Sequence, residues 1–525
     1  MKKPLFFLFF LFLSTGFLAS QDGKIKVLII DGYSNHDWSY TTEVIKSLLI
    51  HSGLCEIDIS TAPANDDPDY LRWNPDFSKY NVIIQNVNSL GNGNSWPEKV
   101  RSSFENYMKK GGMYVFHSAN NSFPEWEEYN NMIGLGWRAH DQGDAIEIID
   151  NKMVRIPSGT GQKTNHGPRL DLVVRILKDH PINRGFPAEW KTPDIELYTY
   201  ARGPAVNMEV LSYTYDENTG RNWPVDWVIQ YGRGRVYNAT FGHLWHDARM
   251  PQSTQCAGFQ TSFLRAIQWL ARRKVTVKIP DKFPTRNDIA LNPVELIYSE
   301  EDGWRRLFNG INLDGWSITC RKEDEGKNFW KADNGSIVCN SIGKPDHNYV
   351  WLMTNEEFED FQLRLNFQAF KLSKGNSGVQ FRSRYEPEAR NGGWLNGPQV
   401  DIHPPAAFRA GLIYDETDGV NRWIYPSMRN YEIAEKDVPK TALQNVLVYA
   451  DDDPDAWNSM ELICKGMKIR TFINGREISV FDATGILDDS LHQQKNVGRK
   501  GKIALQLHAS DELLIKYKNL FIRKY

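Results

Sequence analysis

Residues 24–53 read KIKVLIIDGYSNHDWSYTTEVIKSLLIHSG. The opening is a short apolar strand that ends at a polar turn. Val44, Ile45, Leu48 and Leu49 then recur with helical spacing, and Gly53 stands where a helix C-cap would. The alternation continues with a strand in CEIDIST, a loop rich in Pro, Asp and Asn, and a strand in YNVIIQNV. Next come a helix in WPEKVRSSFENYMKK, stopped by Gly111-Gly112, and a strand in MYVFHS. Strand and helix alternating at this spacing predict an α/β domain built on a doubly wound parallel sheet. Later, DWVIQYG and GRVYNATFGH predict a hairpin, and QTSFLRAIQWLARR a closing amphipathic helix.

The texture changes after about residue 274. Residues 275–299 hold several prolines and little helical periodicity, which predicts a linker. From residue 300 to 525 alternating segments dominate, among them FEDFQLRLNFQAF, SGVQFRSRY, NSMELICKGMKIRTFING, GKIALQLHA and LLIKYKNLFIRKY. Many strands with turn signals and almost no helix predict an all-β sandwich or jelly roll. Asn474-Gly475 marks one tight hairpin. The chain of 525 residues is thus multidomain, with an α/β domain over 21–274.

Apolar residues make up 41% and charged residues 24%, and the formal charge is −3. That balance gives no electrostatic reason to invoke nucleic acid or an anionic membrane. The N-terminus, MKKPLFFLFFLFLSTGFLAS, places two lysines before an apolar run and then small residues. It reads as a signal peptide over 1–20, with cleavage near Ser20–Gln21 and no lipobox cysteine. A periplasmic or secreted protein without stable membrane insertion is the expectation. Five cysteines without CxxC spacing signal neither a thiolate zinc site nor a disulfide framework, although Cys320 and Cys339 could pair. Nothing calls for a nucleotide cofactor, and the oligomeric partner is left unspecified.

Open parallel sheets place ligands outside the carboxyl ends of their strands. His36 follows the first strand, His117 stands at the end of GGMYVFHSANN (111–121), His243 lies in FGHLWHD, and His166 comes from the loop TNHGPRLD. Imidazoles converging from separate strand ends could hold a divalent metal ion or supply an acid and a base. A hydrogen-bonded structural role is open for each histidine taken singly.

The stretches VLIIDGYSNHDWSYTT, GGMYVFHSANNSFPEWEEYNNMIGLGWR, HPINRGFP and YGRGRVYNATFGH resemble the ThuA-like, trehalose-utilisation family over about residues 24–273. That family is similar to class I glutamine amidotransferases, which implies a flavodoxin-like fold. Their strand-to-helix turn carries a nucleophilic cysteine, whereas this chain has His117 there and no cysteine nearby. Glutamine hydrolysis by thiolate attack is therefore disfavoured. Ser118 lacks the G-x-S-x-G elbow that would expose it.

WRRLFNGINLDGW, GNSGVQFRSRY, GPQVDI and GKIALQLHASDELLIKYKNLFIRKY resemble the 3-keto-disaccharide hydrolase family, over about residues 300–525. The resemblance implies a concanavalin-like jelly roll and a carbohydrate substrate, with cleavage of the glycosidic bond of 3-keto-glycosides or 3-keto-disaccharides. A ketone at C3 acidifies the C2 proton, so a base can remove it while the C1 oxygen leaves. Asp401, His508 and Arg382 are the catalytic candidates, with Gln380, Gln399, Gln506, Tyr414 and Trp394 for substrate binding. Strand alternation predicts that Gln380 and Arg382, Gln399 and Asp401, and Gln506 and His508 share a face and line a polar groove. Polar residues on a solvated strand face would look the same. A sandwich of this kind could instead be a carbohydrate-binding module beside a catalytic first domain, with Trp351, Trp394, Trp423 and Tyr414 as stacking platforms.

Overall fold

The computed structural model describes residues 23–89, 93–116, 123–246, 248–298, 303–444 and 447–525. The expected signal peptide, His117 and Ser118 lie outside the described residues. No described helix is long and apolar enough to cross a membrane.

The N-terminal domain is built on one mixed, nine-stranded sheet. Five strands, Cys55–Thr61, Ile25–Asp31, Val82–Gln85, Gly112–Val115 and Gly234–Ala239, lie side by side in parallel. The apolar runs of Ile25–Asp31 and Val82–Gln85 are what burial on both faces demands, whereas the edge strand Cys55–Thr61 is largely exposed. Helices Trp38–Ser52 and Ala257–Leu270 contribute to one core layer, in which Val44, Ile45, Leu48 and Leu49 are buried as the periodicity predicted. Glu98–Met108 covers the opposite face through Val100, Phe104 and Met108. Asp37 caps the helix Trp38–Ser52 by accepting from the Tyr40 N–H, and Gly53 ends it at φ 67°.

The expected all-parallel sheet holds only for this half. Beyond the hairpin Arg221–Tyr231 and Gly234–Ala239, three further strands add antiparallel: Met208–Asp216, Leu170–Ile176 and Glu189–Ile195. Four successive reversals bring Glu189–Ile195 back to the direction of the parallel strands. Its carboxyl end therefore lies at the same edge of the sheet as theirs.

The segment expected as a linker has no sheet or helix of its own but is tied to the first domain. Lys191 N–H donates to Thr285 O, Ala257 N–H to Ala290 O and Ile297 N–H to Ser47 Oγ.

The C-terminal domain is a sandwich of two antiparallel sheets around one core. In one, strands Phe361–Ala369 and Asn458–Lys465 alternate core leucines, Leu363, Leu365 and Leu462, with Arg364 and Glu461 on the outer face. That outer face meets the N-terminal domain, since Arg364 pairs with Glu43 and Glu461 with Arg249. In the other sheet Val350–Phe358, Gly501–Leu507, Ser377–Glu386 and Pro398–Ile402 run side by side. All five cysteines are free.

Candidate functional sites

Two sites stand apart, one in each domain. At the carboxyl edge of the first sheet, His36, Glu196 and His243 bring their ligand atoms within 4.8 Å of one another. Each residue follows a different strand. His36 leaves Ile25–Asp31 through Gly32, whose φ of 134° and close approach to the Ala62 backbone exclude a side chain. His243 follows Gly234–Ala239 through Gly242, at φ 74° against the Phe259 ring. Glu196 follows Glu189–Ile195.

Glu196 bridges two imidazoles, with Oε2 3.4 Å from His243 Nε2 and Oε1 3.3 Å from His166 Nδ1. His36 and His243 lie edge to face at 5.5 Å, and Trp245 packs edge-on to His36 at 4.7 Å. Asn35 Oδ1 lies 3.0 Å from His36 Nδ1 and accepts from Asn88 Nδ2. The cluster opens into a cavity of about 410 Å³ walled by Trp137, Tyr198 and Trp245. Two imidazoles and one carboxylate, at separations a single ion could span, suit a divalent transition metal with open positions for water or substrate.

Sequence reasoning found His36, His243 and His166 and missed Glu196. His166 is exposed and reaches the cluster only through Glu196.

The second site lies on the outer face of the sandwich sheet turned away from the first domain. Trp351, Gln506 and Asp401 lie in one cross-strand row, with Gly378 between the last two. Ala504, Gln380, Gln399 and Tyr414 form the next row. Val379, Val400 and Leu505 alternate with them into the core.

Two corrections follow. The polar residues form a buried layer, not an open groove floor: Gln380, Gln399, Gln506 and Asp401 are each 0–1% exposed. The surface above is made by half-buried Tyr349, His403, His508, Arg409 and Tyr414. Arg382 does not share the face of Gln380. A register break between Gln380 and Ser383, with Arg382 at φ 50°, turns it away. Its guanidinium donates to the carbonyls of Glu359, Gly466 and Gly498 and pairs with Asp360, away from the polar layer.

The amide oxygens of Gln380, Gln399 and Gln506 and the Trp351 indole Nε1 are buried with no hydrogen-bond partner among the described residues. Such groups are costly unless something else satisfies them. Tyr349 Oη lies 2.7 Å from His508 Nε2, and Asp511 stands 3.4 Å from His508 Nδ1. Asp401 accepts from Arg409 Nε at 2.9 Å. Tyr349, Trp351 and Trp394 pack as an aromatic wall, with the Arg390 guanidinium 3.7 Å from the Trp394 ring centre. Trp394 donates to Glu416 O, and Trp351, Trp394 and Trp423 are all buried, so Tyr414 alone of the four expected platforms reaches the surface, with Tyr349 and Tyr385 half-buried beside the wall.

Glu416, which nothing in the sequence marks, accepts from Gln506 Nε2 at 3.1 Å. Burial pushes its carboxyl up to about 7, with Asp401 adding to the effect. Burial also lowers the His403 imidazole, helped by Arg409.

An α/β domain with a histidine–carboxylate cluster at its ligand-binding edge, followed by a sandwich with a polar layer under an aromatic rim, defines a two-site protein of two fused modules. Residues 26–270 match the ThuA family, described as trehalose utilisation, and residues 303–523 match the 3-keto-alpha-glucoside-1,2-lyase-like domain. A ThuA-like protein from Parabacteroides merdae is 31% identical, over 51% of this chain and 98% of its own, with a TM-score of 0.48. The chain belongs to the ThuA family through its N-terminal half and carries a 3-keto-alpha-glucoside-1,2-lyase-like domain in its C-terminal half. A glycosyl hydrolase-like structure from Parabacteroides distasonis is 16% identical over 44% of this chain and 98% of its own, with a TM-score of 0.29. The carbohydrate-binding module CBM66 from Bacillus subtilis is 12% identical over 42% and 96%, with a TM-score of 0.24. No curated protein matches the chain.

Proposed function

We propose that the protein is an exported, carbohydrate-active enzyme whose sandwich domain cleaves 3-keto-glycosides by elimination across C1 and C2. The observation that carries the reading is the row of partnerless amide oxygens beneath the Tyr349–His508 pair, because a sugar presents several hydroxyl donors at once. The match of residues 303–523 to a 3-keto-alpha-glucoside-1,2-lyase-like domain supports the substrate class.

In this scheme Arg409, oriented by Asp401, polarises the C3 ketone and replaces Arg382 among the catalytic candidates. The C2 proton passes to His508 Nε2 through the Tyr349 hydroxyl, and Asp511 balances the imidazolium. The resulting enolate expels the C1 oxygen, forming the C1–C2 double bond, the departing alkoxide takes a proton from water, and the proton held by His508 returns to the hydroxide so formed. The products are a 2-hydroxyglycal bearing the C3 ketone and a free alcohol. Paired carboxylates of the ordinary glycosidase kind are not needed.

The test is turnover of a 3-keto-glucoside deuterated at C2. A primary isotope effect in the wild type, with turnover lost in His508→Gln and in Arg409→Met, is expected. Undiminished turnover in both variants with weaker retention on sugar would instead support the second reading, a catalytic first domain with the sandwich as its binding module. The His36–Glu196–His243 cluster in its aromatic-walled cavity favours that alternative specifically. A metal held there would polarise a substrate oxygen or a bound water.

A further inference from the structure

We propose that the sandwich domain positions the His36–Glu196–His243 centre of the first domain, through Glu461 and the hairpin turn at Asn474-Gly475. The inference rests on reading that cluster as a metal centre.

Two segments carry imidazoles of the cluster, the turn before helix Trp38–Ser52 and the loop that follows strand Gly234–Ala239. Asp37, beside His36, is held by Arg249 Nη1 at 2.7 Å, and Arg249 belongs to the loop that bears His243. The same guanidinium donates from Nε to Glu461 of the sandwich at 3.0 Å. Its plane is enclosed by the Tyr40 ring at 4.3 Å and the Phe472 ring at 4.5 Å. His36, Asp37, Arg249 and Glu461 thus form a continuous chain from the centre into the second domain.

The hairpin grips the same loop by its backbone. Arg249 N–H donates to Gly475 O, Ala248 bridges to Arg476, and Arg470 Nη2 donates to His246 O at 2.6 Å. His246 Nε2 lies 3.1 Å from Asn35 O, next to His36. A Cβ on Gly475 would collide with the Arg249 carbonyl, so the approach needs glycine at that position. Helix Trp38–Ser52 is held a second time at Glu43, by Arg364 at 2.6 Å and Arg523 at 3.4 Å. Glu461 of the sandwich answers Arg249 of the first domain, and Glu43 of the first domain answers Arg364 and Arg523 of the sandwich, so three ion pairs cross the domain boundary.

The test is a Co(II) titration of the full chain, followed by calorimetry and by the visible d–d band, with thermal unfolding in parallel. The wild type is expected to bind one Co(II), and His243→Ala to abolish it. Glu461→Gln is expected to weaken binding several-fold and to change the band, because it loosens Arg249 and, through it, the Asp37 turn that carries His36. Arg470→Met, on the partly exposed rim, is expected to produce a smaller change of the same sign in a protein that folds normally. Unchanged affinity and an unchanged band in both variants, with only the melting temperature altered, would overturn the positioning role and leave the centre standing. A wild type that binds no Co(II), or an equally tight His243→Ala, would overturn the centre and the positioning with it.

Discussion

Gly378 leaves the space over which the Gln399 amide folds. A Cβ at Gly378 would fall directly on the Gln399 amide carbon, and the two sit diagonally on neighbouring strands, two residues out of register on the same face. The absence of a side chain at 378 therefore sets where a buried, partnerless amide oxygen points.

Gly378→Ala should accordingly displace Gln399 without touching Tyr349 or His508. The expected cost in stability is about 1–3 kcal/mol, the usual range for overpacking a tight site. Retention of a 3-keto-glucoside should fall about tenfold, the loss expected when about one buried hydrogen bond is no longer made. Steady-state kinetics should show this as a raised KM with kcat largely kept, because the base and the electrophile stay in place.

The periodic parts of this chain were legible in the sequence. The helix Trp38–Ser52, the hairpin at Gly232 and the turn at Asn474-Gly475 each follow from spacing or from a residue that tolerates positive φ. Glu196 was hidden because Pro193 interrupts its strand. The strand is nonetheless real, since it lies at the sheet edge where a missing N–H costs little. Arg382 was misplaced because alternation of faces assumes an unbroken ladder, and a bulge is invisible to that assumption. Arg409 and Glu416 lie outside strands, in a 3-10 turn and a loop, and only tertiary folding returns them to the site.

Arg382 gives a prediction that separates structure from catalysis. It is 1% exposed, and its guanidinium serves three carbonyls and one carboxylate at once. The ammonium of Arg382→Lys cannot reproduce that fork, and each acceptor left unmet costs about 1–3 kcal/mol. Chemical denaturation should show a loss of that order, while kcat per folded molecule stays at the wild-type value. A collapse of kcat in fully folded Arg382→Lys would return Arg382 to the catalytic set.

Glu416 makes stability depend on pH in a stated window. Its carboxyl titrates at about 7 in the folded chain against 4.5 for the free group, and burial is the main cause. The stabilising proton is fully bound in both states below 4.5. As pH rises the unfolded chain loses it first, so stability falls from about 4.5 up to about 7 and is then level. The difference corresponds to about 3 kcal/mol. Glu416→Gln removes this contribution, so the variant's stability should decline less than the wild type's between pH 5 and pH 8. Denaturant midpoints at the two pH values measure it, and parallel declines would show that Glu416 ionises normally.

The junction between the domains should fail as a unit when its charge balance is broken. Arg364 is buried between Glu43 and Glu461, and the two carboxylates attract it strongly enough to outweigh burial and raise its pKa. Glu461 is held below the ordinary carboxylate range despite its burial, by Arg364 and Arg249. Arg364→Met strips the central cation and leaves buried negative charge, a change that costs about 3–5 kcal/mol in comparable settings. Pairing it with Glu43→Gln removes one of the uncompensated charges, so the double variant should recover part of that loss. Calorimetry should show the single variant melting in two separated transitions, one per domain, and the double variant moving back toward one. If Arg364→Met melts as the wild type does, the domains are held by the strapped segment 275–298 and not by the buried charges.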